Sequence, residues 1–245
     1  TKGELEWEAF NAGNDVLCFA ENVPEGIEAI LKNASPERIE ESFNRIIKAK
    51  QKVGILAENH FTSGELNFER ASALNLEIAQ NSITKIIDNF STEQVFEAQK
   101  NNQLAKLSLY KNAKNPFFQT LNTVLNSAEF AFENAEASSI SEIKKGLEPF
   151  ETVIISLFVP KAKPMNNFEI DDEVLELLSD LLQTKKCLLY VFGNPYVLPI
   201  IPNLSKASQL IQVYQDFEEF QKNAGIQFLE NNICKGNLPV NIDIQ

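Results

Sequence analysis

Two clusters of carboxylates are the residues whose types and spacing could support acid-base chemistry in this sequence. They are the triplet Asp171-Asp172-Glu173 and the pair Glu218-Glu219. Paired carboxyl groups roughly 5 to 10 Å apart can work as acid and base, or as acid and nucleophile. Both clusters, however, stand at the start of helical apolar patterns, where the helix dipole stabilises acidic side chains. We therefore interpret both as solvated residues at helix N-termini.

Asp15 differs from these clusters because it stands at the head of a short apolar run. That run, residues 16–20, reads Val-Leu-Cys-Phe-Ala and is typical of a strand that is covered on both faces, as in a parallel sheet. Polar groups in such a position are normally hydrogen-bonded. We predict a structural hydrogen-bonding role for Asp15 rather than catalysis.

Histidine and cysteine chemistry is disfavoured by the surroundings of these residues. The single histidine, His60, has no recognisable arrangement of Ser, Cys or carboxylate around it, so we predict a surface or hinge position rather than catalysis. Cys18, Cys187 and Cys234 are far apart and lack paired ligand spacing, which favours small buried hydrophobes over disulfides or metal ligands. The cysteine pattern does not indicate whether the protein works in an oxidising or a reducing compartment. Neither G-x-G-x-x-G nor a Walker pattern occurs, so we predict no cofactor.

The elements that must position a site alternate between helical and strand spacing after residue 69. The pattern predicts helices at 70–80, 172–182 and 217–229, strands at 82–87, 105–109, 153–159, 187–192 and 210–214, a polar stretch at 91–103, and a closing extended segment at 238–242. This alternation is typical of a layered α/β domain with a mostly parallel sheet.

Two helices are predicted before that domain. The first covers residues 23–31, with Pro24 in its first turn. The second begins after the N-cap Ser35, has Pro36 at its first position and ends at Gly54. Residues 58–69 lack periodicity and contain turn formers, which predicts a linker there.

An open α/β sheet binds ligands in the crevice beyond the carboxyl ends of its strands. In this sequence that rule indicates Pro160, the turn Gly193-Asn194-Pro195-Tyr196, and Gln215-Asp216. Gly193 and Asn194 also fit a simple tight turn, and we favour this structural interpretation of the two residues. The rule predicts a location and not an activity.

Composition and charge narrow the classes of partner. The chain has 245 residues, 44% of them hydrophobic, enough for one large or two small domains. Its formal net charge of −12 argues against a nucleic-acid partner, because Lys and Arg contacts to phosphates dominate that affinity. There is no run of about 18 apolar residues, so we expect no membrane span. The compartment is left undetermined.

Several short stretches, taken in order, resemble glycoside hydrolase family 3, and in particular its β-N-acetylhexosaminidase branch. They are residues 12–17, 21–24, 38–42, 45–50, Gly54, 79–84, 192–196 and 236–240. The resemblance covers nearly the whole chain. It implies that residues 1–57 are the closing βα unit of a (β/α)8-type catalytic barrel plus a linking helix, and that 70–245 are the C-terminal α/β domain.

The resemblance also implies what this chain does not carry. The nucleophile of the family is an aspartate upstream of the Ala-Gly-x-Asp segment, and residues 1–11 contain no aspartate. The acid/base loop of this branch would lie earlier again. Thr1 at the start and Met165 as the only methionine likewise lead us to expect a C-terminal portion. We assign no catalytic or substrate-binding residue, and Asp15 is expected to support the floor of the active site.

The sequence therefore predicts a non-catalytic C-terminal part of a glycoside hydrolase that removes terminal N-acetylhexosamine from glycans. Its partner would be the barrel of the same polypeptide, which would bring the glycan substrate. The alternative is an independent flavodoxin-like α/β module that binds a ligand or a protein. The surface of residues 12–55 distinguishes them, because a wide exposed apolar patch there would imply a barrel partner.

Overall fold

The computed structural model of this protein describes residues 2–56, 64, 66–134 and 139–244. It divides into two compact units, Thr1–Leu66 and Asn67–Gln245. We call them the N-terminal unit and the α/β unit. His60 and most of the predicted linker at 58–69 lie outside the described residues.

The described part of the N-terminal unit contains the helices α1 (Glu4–Asn11), α2 (Val23–Asn33) and α3 (Pro36–Lys52). The Ser35 side chain caps α3 by accepting a hydrogen bond from the Arg38 N–H at 3.2 Å. After α3, Gly54 adopts a positive φ of 78°, as glycines that end helices commonly do. The two predicted helices of this unit are confirmed, whereas α1 was not predicted.

The predicted buried strand at residues 16–20 is wrong for this chain. The structure assigns no strand there, and Val16 and Phe19 are 72% and 96% exposed. A strand needs a neighbour to pair with, and no backbone hydrogen bond joins residues 16–20 to any other described residue. The apolar run therefore lies open on the surface of the N-terminal unit.

The α/β unit contains one six-stranded sheet in the order β1-β6-β5-β4-β2-β3. Its strands are β1 (Thr84–Asp88), β2 (Leu104–Leu109), β3 (Ala128–Phe132), β4 (Thr152–Phe158), β5 (Lys186–Phe192) and β6 (Gln209–Gln212). The edge strand β1 is antiparallel to β6, and all other pairs are parallel. The predicted mostly parallel α/β fold is confirmed.

Helices cover both faces of this sheet. They are α4 (Phe68–Ser82), α5 (Thr92–Lys100), α6 (Pro116–Leu121), α7 (Ile140–Leu147), α8 (Asp172–Thr184) and α9 (Glu218–Leu229), with short 3-10 turns at Met165–Glu169, Pro195–Ile200 and Leu204–Lys206. Successive side chains of β4 point to opposite faces of the sheet. Val153 and Ile155 lie in the apolar core that includes α7 and α8, whereas Ile154 lies in the core that includes α6 and α9. Parallel strands that are buried on both faces read as continuous apolar runs.

Four elements of the α/β unit were not predicted. The polar stretch at 91–103 holds α5, which starts with a reciprocal capping box between Ser91 and Gln94 and buries only Thr92, Val95 and Ala98. The edge strand β3 is only partly buried, so its apolar signal is weak. The short helices α6 and α7 were also missed. Among the described residues, no helix is long and apolar enough to cross a membrane.

Candidate functional site

A crevice of about 460 Å³ lies at the carboxyl ends of β4, β5 and β6. We call it the carboxyl-edge crevice. It is lined by Val159, Pro160, Lys161, Ala162, Phe192, Gly193, Asn194, Pro195, Tyr214, Gln215 and Asp216. The three loops that the sequence indicated separately, at Pro160, at Gly193-Asn194-Pro195-Tyr196 and at Gln215-Asp216, therefore come together around one cavity, although Tyr196 itself is not among the lining residues.

The turn after β5 is fixed by its own residues, as the structural interpretation of Gly193 and Asn194 predicts. Gly193 has a φ of 146°, and a Cβ there would lie 2.6 Å from Val159 Cβ. Asn194 Nδ2 donates to the Ala162 carbonyl at 2.9 Å, and its Oδ1 accepts from the Tyr196 N–H at 3.0 Å. Both groups of the Asn194 side chain are thus used to hold the loops together.

An ion pair closes one side of the carboxyl-edge crevice. Lys111, in the loop after β2, places its Nζ 2.8 Å from Asp216 Oδ2 and 4.7 Å from the ring centre of Phe158.

The parallel strands lie in the order β3-β2-β4-β5-β6 across the sheet. Because β3 is added on one side of β2 and β4 on the other, the topological switch point of the sheet lies between β2 and β4. Ligands of doubly wound sheets bind at such a point. Sequence analysis missed Lys111 because the strand order was unknown.

Two tyrosines with positive φ follow strands at this edge of the sheet. Tyr110 has a φ of 65° and Tyr214 a φ of 71°, which is costly for bulky residues. The Tyr110 hydroxyl donates to Asp171 Oδ2 at 3.0 Å and accepts from the Asp171 N–H at 2.8 Å. The Tyr214 hydroxyl lies 2.8 Å from Thr84 Oγ1 and donates to the Asn237 carbonyl at 3.4 Å. Burial raises the pKa of both phenols, so they stay protonated and act as hydrogen-bonding anchors.

The carboxyl-edge crevice does not have the groups of a glycosidase centre by itself. Asp216 is the one carboxylate among its described lining residues, and it is occupied by Lys111. Glycoside hydrolysis ordinarily needs a second carboxyl group close by. In the part of the chain that the structure describes, no group of three or more His, Cys, Asp or Glu is arranged to hold a metal ion.

The two carboxylate clusters lie where the sequence predicts, at helix N-termini. Asp172 and Glu173 are in the first turn of α8, and Glu218 and Glu219 are in the first turn of α9. Asp171 precedes α8 but makes no capping bond with its side chain, which binds Tyr110 instead. Neither cluster lines the carboxyl-edge crevice.

Asp15 is held by two arginines of α3. Arg45 reaches it with a two-pronged contact, Nε to Oδ2 at 2.6 Å and Nη2 to Oδ1 at 2.8 Å. Arg38 Nη1 adds a bond to Oδ1 at 3.2 Å, and Arg38 also donates to the Phe10 carbonyl at 3.1 Å. The Arg45 hydrogen bond is the main cause that holds the pKa of Asp15 well below its ordinary value of 3.8. The predicted hydrogen-bonding role is confirmed: Asp15 ties the loop after α1 to α3.

The cysteines lie in three different environments. Cys187 is fully buried in β5, and burial raises the pKa of its thiol to about 12. Cys234 is partly buried, and burial likewise raises the pKa of its thiol. The prediction of a buried hydrophobe is wrong for Cys18, which is exposed because residues 16–20 form no covered strand.

Large apolar side chains are exposed over much of the N-terminal unit, and we call them the apolar surface of that unit. They are Leu5, Val16, Phe19, Val23, Ile27, Leu31, Phe43, Val53, Ile55 and Leu56. Three of them, Val23, Ile27 and Leu31, are four residues apart on α2 and so form one stripe. Exposed apolar area beyond a few hundred Å² usually marks an interaction site.

Comparison with solved structures identifies the fold of this chain. No protein-family profile and no curated protein matches this chain. A family 3 β-N-acetylglucosaminidase from Paenibacillus matches with a TM-score of 0.70 and 14% identity, over 99% of this chain and 48% of that one.

A β-glucoside phosphorylase matches with a TM-score of 0.69 and 18% identity, over 98% of this chain and 45% of that one. A fungal multi-domain family 3 β-N-acetylglucosaminidase matches with a TM-score of 0.64 and 15% identity, over 99% of this chain and 29% of that one. This chain therefore shares a fold with these enzymes and spans less than half of each.

Proposed function

We propose that this chain is the non-catalytic C-terminal part of a family 3 glycoside hydrolase that removes terminal N-acetylhexosamine from glycans. The observation that carries the proposal is the match of almost the whole chain, 99%, to 48% of a family 3 β-N-acetylglucosaminidase. The resemblance of residues 12–17 and of the later stretches to that branch supports the same assignment. In this proposal the catalytic carboxylates belong to the barrel.

The charge arrangement of the carboxyl-edge crevice supports a non-catalytic role. Asp216 is the one carboxylate among the described lining residues, and it already forms an ion pair with Lys111 at 2.8 Å. A proton donor for the leaving group would have to come from elsewhere in the intact enzyme.

The apolar surface of the N-terminal unit supports a barrel as the partner. Residues 16–20 combine exposed apolar side chains with a backbone that has no hydrogen-bond partner among the described residues. Pairing with strands of a barrel would satisfy both, because it buries apolar area and completes the backbone hydrogen bonds. We propose that this segment becomes a strand in the intact enzyme.

Substitution of the crevice carboxylate in the intact enzyme tests the non-catalytic assignment. Asp216→Asn in a polypeptide extended upstream to include the barrel should leave kcat for a chromogenic N-acetyl-β-glucosaminide within about threefold of wild type, as expected for a residue outside the chemistry. Asp172→Asn, on the surface of α8, is the matched control. A loss of about a hundredfold or more in Asp216→Asn alone would assign catalysis to this domain and overturn the proposal.

A second candidate function is an independent module that binds a small ligand. The strand order β3-β2-β4-β5-β6 and the crevice at its carboxyl edge favour it. The exposed apolar surface of the N-terminal unit argues for the first proposal. A dye that fluoresces on apolar protein surfaces separates them: strong binding to this chain and weak binding to the extended polypeptide supports the first, and weak binding to both supports the second.

A further inference from the structure

Five main-chain N–H groups of the carboxyl-edge crevice have no acceptor among the described residues. They belong to Ala162, Gly193, Asn194, Tyr214 and Asp216, and of these only Gly193 and Asn194 are consecutive in the chain. Gly193 and Asn194 follow the end of the sheet's hydrogen-bond ladder. The Phe192 carbonyl still accepts a ladder bond from the Val159 N–H at 3.0 Å, and the residues after Phe192 have left the sheet. Ala162 is exposed and Gly193 and Asn194 are half-buried, so these donors are accessible to a ligand from solvent. Neighbouring free amides in a concave loop are a recurrent way of binding oxyanions.

The charges around the crevice favour an anion over a cation. The loops after β2 and β4, residues 110–116 and 159–165, contain four lysines and no acidic residue, in a chain whose net charge is −12. The lysines are Lys111, Lys114, Lys161 and Lys163. Lysine ammonium groups close to free amides strengthen the binding of phosphate and carboxylate groups.

Two of the acidic groups near this region, Asp216 and Glu169, are each paired with a lysine, and a third, Asp171, is hydrogen-bonded to Tyr110. Asp216 is neutralised by Lys111, whose Nζ lies 2.8 Å from its carboxylate. Glu169 lies 3.8 Å from Lys161 and is mostly exposed, so this pair is weak and open to exchange with a ligand. Lys161 is thus the charged crevice residue that is most available to an incoming anion.

We propose that the carboxyl-edge crevice binds a phosphate-sized oxyanion through the main-chain N–H groups of Gly193 and Asn194 and the ammonium group of Lys161. The site lies on the edge of the sheet where doubly wound folds hold their ligands. It is independent of the proposed hydrolase function, since binding needs neither a glycan nor a barrel.

A matched pair of substitutions at Asn194 isolates the main-chain donor. Asn194 has a φ of −67°, which proline adopts without strain, and so Asn194→Pro removes the N–H while keeping the backbone path. Asn194→Ala removes the same side-chain bonds to Ala162 and Tyr196 but keeps the N–H. Calorimetric titration of the full chain with inorganic phosphate should show at least about tenfold weaker binding for Asn194→Pro than for Asn194→Ala, the loss of a charge-assisted hydrogen bond.

A second pair of variants keeps the proposal testable if Asn194→Pro does not fold. Lys161→Gln should weaken phosphate binding by about tenfold. Lys206→Gln, at the opposite, amino-terminal edge of the sheet just before β6, should match wild type. In ¹⁵N-labelled protein, phosphate should shift the amide signals of Gly193 and Asn194 first. If acetate binds more strongly than phosphate in the same titration, the site is one for a carboxylate ligand, and the proposal of a phosphate-sized oxyanion is overturned.

Equal phosphate affinity of Lys161→Gln and Lys206→Gln, or of the two Asn194 variants, would overturn the proposal. So would shifts spread over surface lysines with no response at Gly193 and Asn194. Because no hydrolysis is measured, these outcomes do not depend on the proposed function.

Discussion

Lys106 on β2 and Glu129 on β3 are register partners in adjacent parallel strands, and Lys106 Nζ lies 2.9 Å from a Glu129 carboxylate oxygen. Lys106 is only 1% exposed, whereas the Glu129 side chain is 30% exposed. Asn122 completes the group, because its Oδ1 accepts from Lys106 and its Nδ2 donates to Glu129 at 2.7 Å. The buried Lys106 ammonium is thus bonded to the Glu129 carboxylate and to the Asn122 side-chain amide, and the Lys106–Glu129 ion pair joins the edge strand β3 to the sheet.

Breaking this pair from the acidic side should be costly. Glu129→Gln leaves the buried Lys106 without its counter-charge, and we expect a loss of about 3 kcal/mol in the free energy of unfolding of the α/β unit. Lys106→Met removes the charge and fills the space, so it should be neutral or stabilising. Asp180→Asn, which breaks the exposed pair with Lys144, is the control and should cost less than about 1 kcal/mol. Denaturant unfolding measures all three, and a Lys106→Met loss as large as that of Glu129→Gln would contradict the account.

The segment after α9 passes close to the start of β1 and leaves no space for a side chain at Gly236. A Cβ there would lie 1.9 Å from the Ser82 carbonyl oxygen, and the Gly236 N–H donates to the Ile83 carbonyl at 3.1 Å. We expect Gly236→Ala to destabilise the α/β unit by about 2 kcal/mol or more and lower its Tm by several degrees. Gly64→Ala, with nothing within 4 Å of the added carbon, should leave Tm unchanged. Equal Tm values for the two variants in calorimetry would show that the close approach is absent.

Acid should weaken the N-terminal unit through Asp15. Its pKa in the folded state is lowered, mainly by the Arg45 hydrogen bond, from an ordinary value of 3.8. The carboxylate therefore stabilises the fold above pH 3.8, and this contribution is lost as the pH falls below 3.8 towards the folded-state pKa. Fluorescence of Trp7, the only tryptophan, reports unfolding of this unit. Asp15→Asn should reduce the acid dependence, and Glu37, whose pKa is also lowered by hydrogen bonds at the start of α3, should account for part of what is left. Glu28→Gln on the exposed face of α2 should keep the full dependence. An unchanged acid transition in Asp15→Asn would show that another group titrates.

Phe19 should matter for assembly and not for the stability of this chain. It is 96% exposed, so Phe19→Ser should change the unfolding free energy of the chain by less than about 0.5 kcal/mol. Phe118, fully buried under the sheet, gives the contrast, since Phe118→Ala should cost about 3 to 5 kcal/mol. In the barrel-extended polypeptide, Phe19→Ser should become strongly destabilising. No difference between the two polypeptides would contradict the proposed docking.

Sequence reasoning recovered the elements whose signals are local. Strands β4 and β5 are continuous apolar runs, and α3 carries its own N-cap, first-turn proline and terminal glycine. The alternation of these elements was enough to predict a mostly parallel α/β fold and the loops that meet at its carboxyl edge.

Features that depend on tertiary pairing were not recoverable. Lys111 reaches Asp216 only because β2 lies beside β4, and no local pattern contains that strand order. Residues 16–20 have the composition of a buried strand, yet composition supplies no neighbouring strand, so the segment lies exposed. The antiparallel pairing of β1 with β6 is likewise set by long-range contacts.

Turnover of a chromogenic N-acetyl-β-glucosaminide tests the central claim most directly, measured under identical conditions for these 245 residues and for the polypeptide extended upstream to include the barrel. The account predicts hydrolysis by the extended polypeptide and none above background by the shorter chain. Hydrolysis by the shorter chain would contradict it, because the catalytic carboxylates would then lie within these residues, and hydrolysis by neither would assign the chain to a ligand-binding module.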